Sequence, residues 1–264
     1  MARARSARGV AAPLARIAAP LRILRLVLAY DGTAYAGWQI QPTAATVQGV
    51  LTAAARTLLG ATTRVTGASR TDAGVHARRQ VVSVRTEGTL PAAAVVRALN
   101  ARLPPDIRVR AAAEAPPGFD ARRAARAKRY AYLIDDGPVA DPLLRRYAWH
   151  VPVRLDAARM RGALAALRGR HDFSAFCAAA GRGTTPVCDI GALHVLRRRE
   201  RIAIVVSADR FLHHMVRNIV GSGVVVGRGA RDPGWVGDVL ASRDRRRAGP
   251  TAPAHGLTLL RVVY

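Results

Sequence analysis

Lysine is almost absent from this chain: of 42 basic residues in 264, only Lys128 is not arginine. Acids are scarce too, 17 in all, which leaves a formal net charge of +25. Such an imbalance points to a polyanionic partner, most simply nucleic acid. Alanine is abundant alongside the arginine, so part of the charge reflects a compositional bias that runs through the whole chain. Cysteine stops at two, Cys177 and Cys188, with ten residues between them. That excludes a disulfide scaffold, matches no common zinc-ligand spacing, and fits a reducing, cytoplasmic setting. No apolar run reaches the roughly 20 residues that a membrane-spanning helix needs, so no membrane role is expected. A nucleotide phosphate loop is missing as well. There is no G-x-x-x-x-G-K-[ST], and Gly221, Gly223 and Gly227 in "GSGVVVG" miss the G-x-G-x-x-G spacing and follow a helical pattern.

Half of the residues are hydrophobic, which places the chain among globular proteins with a real core. Residues 1–22 are rich in Arg and Ala and free of acid, and read as a disordered basic extension. Beyond them the pattern predicts a strand at Arg22–Tyr30 and a helix from Val47 closed by Gly60. Strands near Arg64–Ala68 and Gln80–Thr86 follow, then a helix opened by Pro91, then a strand in "IRVRAAA". "EAPPG", Glu114 to Gly118, breaks the periodicity and reads as a linker between a half at 23–115 and a half at 116–264. The second half repeats the order: a strand near Arg129–Ile134, a helix near Asp156–Leu167, strands in "GALHVLRR" and "RIAIVVSA", a helix from about Arg210, and a final strand "LTLLRVVY", with a short helix near Trp235 added. Strand, helix, strand, strand, helix, strand is the split βαβ order. The expected fold is therefore α+β, with two ferredoxin-like halves sharing a mixed, mainly antiparallel sheet around a central cleft.

Two places draw chemical interest. On a helix running from about Arg210, Phe211, Leu212, Met215, Val216, Ile219, Val220 and Val224 form an apolar stripe. The opposite face would carry His213, His214, Arg217, Asn218 and Gly221, with no acid among them. It reads either as an exposed basic face or as a surface on which Arg217 meets an anion, a phosphate or a carboxylate. Adjacent histidines on a helix project about 100° apart, so His213 and His214 are not expected to chelate a metal. The second place is "GASRTDAGVHARRQ", residues 67–80, where Asp72 is the lone acid among Arg70, His76, Arg78 and Arg79. Turn chemistry alone favours a bend residue near Gly74. Arg70 and His76 are expected to favour the charged form of such an acid, and a carboxylate in a basic cleft can serve as nucleophile or electrostatic stabiliser.

The stretch "GASRTDAGVHARRQVV" resembles the signature of the tRNA pseudouridine synthase A family. "YDGTAYAGWQIQP" with "TVQGVL", "LNARLPPDI", "GFDARRAARAKRYAYLI", "HDFSAFC", "FLHHMVRNIVGSGVVVG" and "HGLTLLRV" follow in register, from about Arg25 to Val263. The resemblance implies isomerisation of uridine to pseudouridine at positions 38–40 of the tRNA anticodon stem-loop. It implies tRNA as partner, a homodimer, and no cofactor or metal. It implies that Asp72 is the catalytic carboxylate, that Arg70 holds the flipped nucleotide, that Tyr130 packs on the target base, and that Arg217 pairs with the carboxylate. His76, His214, Asn218 and Leu257 are secondary candidates. Arg123, Thr184 and Cys188 depart from the family pattern. Two other readings stand beside this one: a non-catalytic RNA-binding chaperone on the same scaffold, and a basic-patch DNA-binding protein.

Overall fold

The computed structural model describes residues 21–178 and 185–264. β1 (Arg22–Tyr30) alternates as its sequence dictates: Leu24, Leu26 and Leu28 are fully buried, while Arg25 faces out. Burying each of these leucines contributes about 1.5–3 kcal/mol. Arg22, counted above with the extension, is the first residue of β1 and pairs with Glu114 at 3.5 Å. Of the rest of the expected extension, Leu21 is exposed and residues 1–20 lie outside the described residues. α1 (Val47–Leu59) starts at Thr46, whose hydroxyl accepts from the Gly49 N–H at 3.2 Å, and ends at Gly60, where φ is +105°. Its Val47, Leu51, Ala55 and Leu59 form the buried face.

β2 (Arg64–Gly67), β3 (His76–Thr86), α2 (Ala92–Asn100) and β4 (Ile107–Ala115) complete the first half. β4 and β3 flank β1, and β2 pairs with the far edge of β3, so the strands lie in the order fourth, first, third, second. The second half uses β5 (Ala127–Asp135), α3 (Ala157–Ala165), β8 (Val187–Arg198), β9 (Arg201–Ala208), α4 (Met215–Gly227) and β10 (Leu257–Val263). β10, β5, β9 and β8 lie side by side, the same order again. Short β6 (Trp149–His150) adds to β5, and β7 (Gly169–Asp172) adds to β8. α5 (Trp235–Ser242) lies between α4 and β10 in the chain. The result is the expected mixed sheet of ten strands, antiparallel except where β10 meets β3 and where β6 meets β5.

Two expected boundaries need correction. Glu114 and Ala115 belong to β4 and not to the linker. The segment after them is anchored: Phe119 packs on Tyr264 with ring centroids 5.5 Å apart, and the Ala121 N–H donates to Ser83 Oγ at 3.2 Å. The helix expected from Arg210 begins at Met215, because His214 adopts the left-handed conformation, φ +59°, and stops it there.

Candidate active site

The loop from Ala68 to Val75 joins β2 to β3 beside the line where the two halves meet. Buried Gln80 grips it from below. Its amide oxygen accepts from the Ser69 N–H at 3.2 Å, and its amide nitrogen donates to the Ser69 carbonyl at 2.6 Å. Thr71 shares a hydrogen bond of 2.8 Å with the buried Tyr30 hydroxyl, and the Thr71 carbonyl accepts from the Trp38 N–H at 3.0 Å. Asp72 is a turn residue as well as a site residue: its carbonyl accepts from the Val75 N–H at 3.1 Å while its side chain points away from the turn.

That carboxylate faces α4. Arg217, in the helix's first turn, places its Nη1 3.4 Å from Asp72 Oδ2, and its Nε donates to the Ala252 carbonyl at 2.7 Å. One end of the guanidinium is thus fixed to the protein, and the other is held at the acid. His214 Nε2 lies 3.6 Å from Oδ2, and His213 Nε2 lies 3.8 Å from Oδ1. Burial is the main influence holding the His214 imidazole below its ordinary value; the Arg217 and His213 charges add to this, against Asp72.

A cleft of about 360 Å³ opens in front of Asp72, a size suited to a small-molecule-sized group. Tyr130 of β5 forms part of its wall, with its ring edge-on to Phe211 at 5.1 Å and its hydroxyl 2.8 Å from Ser69 Oγ. Burial pushes the Tyr130 phenol up to about 12, against the lowering by Ser69. Leu257 of β10 adds an apolar wall, and Arg70, Arg122 and Lys128 add cations. Burial, with the Arg122 charge, holds the Lys128 ammonium below its ordinary value.

Asp72, Arg70, Tyr130, Arg217, His214 and Leu257 therefore meet at one cleft. Two sequence candidates do not belong there. His76 is buried with its Nδ1 accepting from the Gly32 N–H at 3.0 Å and its Nε2 against the carbonyls of Arg146 and His255 at 2.8 and 3.0 Å. As the first residue of β3 it turns away from Asp72, and its Nδ1 lies 3.1 Å from Asp31 Oδ1 instead. Arg70 lines the cleft but makes no ion pair with Asp72 among the described residues. Asn218 is fully buried and structural: its amide donates to the Phe176 carbonyl at 2.7 Å and accepts from Thr251 and Arg245 at 2.7 and 3.0 Å. Of the two readings of this face, exposed or meeting an anion, the structure shows the second: it is packed, Arg217 meets the Asp72 carboxylate, and Gly221 admits the Pro250 carbonyl where a Cβ would stand. The helical premise that kept His213 and His214 apart also fails. Both precede α4, and their rings lie 3.9 Å apart between centroids.

Among the departures, Cys188 is buried in β8, which pushes its thiol up to about 11; Arg123 is exposed; Thr184 lies outside the described residues. Sequence reasoning missed Lys128, Ser69, Phe211 and His213 as lining residues. The signal for Lys128 was available: it stands two residues before Tyr130 on one strand, so the two share a face.

A carboxylate clamped by arginine, on a doubled split βαβ sheet, is the arrangement to set beside known proteins. The profile of the tRNA pseudouridine synthases matches residues 26–122 and 163–264. The chain belongs to this family. A protein of Myxococcus xanthus named tRNA pseudouridine synthase A is 47% identical over 242 residues, covering 91% of each chain. Similar proteins of the same name come from Moorella thermoacetica, 45% identical over 91% of this chain and 99% of its own, and Pelobacter propionicus, 44% identical over 92% and 100%. In terms of the family profile, Asp72 lies in the first matched span and Arg217 in the second, so the ion pair joins the two; Tyr130 falls between them.

Proposed function

We propose that this chain isomerises uridine to pseudouridine at positions 38–40 of the tRNA anticodon stem-loop, with Asp72 as the catalytic carboxylate. The observation that carries the reading is the Asp72–Arg217 contact at 3.4 Å, on the floor of a cleft with cationic side chains in its wall. The reaction breaks the bond from C1′ to N1 and joins C1′ to C5 of the same ring; C5 loses a proton and N1 gains one. Nothing is oxidised and no group leaves the nucleotide, so the chemistry calls for no cofactor. A carboxylate held by a guanidinium remains a charged oxygen donor beside the sugar and base. It fills that role whether the route is attack at C1′, addition at C6, or elimination at the sugar. The target base must first leave its stack, at a cost of a few kcal/mol. Contacts from Arg70, Arg122 and Lys128 to phosphate offset that cost. Tyr130 presents its ring to the flipped base. Because its phenol keeps its proton to about 12, it acts as a neutral hydroxyl and not as a base at neutral pH.

A homodimer and a cytoplasmic setting belong to the same proposal. Cys177 and Cys188 are both free, which supports the setting, and sedimentation at assay concentrations reads the dimer. A pure RNA chaperone is not favoured, since binding alone does not require a clamped carboxylate in a cleft. The deciding experiment is tritium release from C5-labelled tRNA. Asp72→Asn is expected to abolish release while tRNA affinity stays within a few-fold of wild type. Turnover at the wild-type rate in that variant would sink the assignment.

A further inference from the structure

Asp72 has a second set of neighbours that isomerisation does not explain. One ring nitrogen each of His213 and His214 and a carboxylate oxygen of Asp72 all lie within 4.8 Å of one another. His214 at φ +59° is what makes adjacent residues converge, since the left-handed turn brings the two rings to 3.9 Å between centroids, tilted by 37°, instead of spreading them around a helix. The His213 ring is also oriented for coordination. Its Nδ1 lies 3.2 Å from the Ala178 carbonyl, which only an Nδ1–H can satisfy as donor. That tautomer leaves the Nε2 lone pair free on the side facing Asp72. Fixing one imidazole nitrogen on a carbonyl while the other meets the ion is the usual outer support of a histidine ligand.

We propose that Asp72, His213 and His214 form a site for a divalent transition-metal ion such as zinc, and that an ion bound there blocks the cleft. Donors around tetrahedral zinc stand about 3.3 Å apart, given ligand bonds of about 2.0–2.1 Å. His213 Nε2 stands 3.8 Å from Oδ1 and His214 Nε2 stands 3.6 Å from Oδ2, with the three donors all within 4.8 Å of one another, so they draw together by up to about 1.5 Å as the ion binds. Two imidazoles and one carboxylate leave a fourth position open for water. Nitrogen donors select zinc, cobalt, nickel or copper over magnesium and calcium. Arg217 stays on Oδ2, and the ion takes Oδ1, on the His213 side. The ion and a flipped nucleotide then claim the same carboxylate and the same space. That inhibitory consequence rests on Asp72 being the catalytic group; the binding itself does not.

The test uses the full chain stripped of metal with a chelator. Cobalt(II) is titrated and its visible absorption followed, and zinc is then added in competition. One cobalt per chain with a tetrahedral spectrum, displaced by zinc and by tRNA but not by magnesium, is expected. His213→Gln and Asp72→Asn should each weaken the affinity by about tenfold or more. Both are conservative, and melts matching the wild type show that each variant folds. Zinc should also inhibit tritium release competitively with tRNA. The inference fails if cobalt gives no tetrahedral spectrum, or if both variants bind it as tightly as wild type. Turnover by Asp72→Asn would overturn the catalytic reading instead and leave the spectroscopic result standing.

Discussion

Arg217 joins the fold to the cleft's carboxylate through the two ends of one guanidinium. Its Nε is committed to the Ala252 carbonyl, and only its far end reaches Asp72. Arg217→Ala is therefore expected to lower kcat by a hundredfold or so, about 2.7 kcal/mol at the transition state, with a much smaller change in tRNA affinity. Arg217→Lys should not rescue it, because an ammonium cannot span two acceptors as a planar fork does. A variant whose main defect is tRNA affinity would make Arg217 a phosphate contact. Tyr130 gives a second residue-scale test. Tyr130→Phe keeps the ring on Phe211 and loses the Ser69 hydrogen bond, a loss of about 1 kcal/mol or roughly fivefold in kcat. The native phenol does not titrate below about 12, so the shape of the kcat–pH profile between pH 6 and 9 should be the same in both proteins. A limb of the profile that disappears in Tyr130→Phe would show that Tyr130 moves a proton.

At the scale of elements, α4 positions the site through what packs on it. The segment ending at Ala252 lies against its Gly221, Asn218 and Arg217. Gly221→Ala drives a methyl into the Pro250 carbonyl and is expected to destabilise the fold by about 2 kcal/mol. Activity should fall further than the melt accounts for, because Arg217 loses its anchor at Ala252. A melt and activity both like wild type would show that the segment yields freely. α4 is also where the sequence was hardest to read. Phe211 and Leu212 extend its apolar spacing backwards and mimic another turn, and nothing in composition marks His214 as left-handed. β1 and α1 were legible because their alternation and capping are clean. β3 was read from Gln80 but begins at His76, since the exposed pair Arg78 and Arg79 breaks the alternation after buried His76 and Ala77. β6 and β7, only two and four residues long and rich in polar side chains, carry no period to detect. At the site, Asp72 and Arg217 could be paired from motif and resemblance. His76 could not be excluded, because four residues of separation say nothing about a strand's first residue turning the other way.

For the whole molecule the dominant property is charge. A net charge of +25 makes tRNA binding a matter of counter-ion release. If only four phosphates are met, at a slope of about −0.9 each, raising salt from about 50 to 200 mM should lower affinity on the order of a hundredfold. Filter binding across that range checks this. A slope near zero would show that the arginines reflect composition and not contact. Duplex DNA at matched salt is the natural comparison, since bulk charge alone would serve both polymers alike.

The far edge of β3 is divided between two strands: β2 takes Val82–Arg85, and β10 takes only His76 and Ala77. Across the sheet's middle the two halves thus hold hands by a ladder of two residues, against eight paired positions between β1 and β3. In mechanical terms this is a crease. The ladder itself is short, and the side-chain contacts Ser69–Tyr130, His76–His255 and Asp72–Arg217 carry the rest of the junction beside a cleft whose walls come from both sides. Asp72 rides on one leaf and Arg217 on the other, so their contact spans the crease. Backbone amides along the crease, at Ala77 and Leu259, are expected to exchange more slowly with tRNA bound than without it, and hydrogen exchange on the two states checks this.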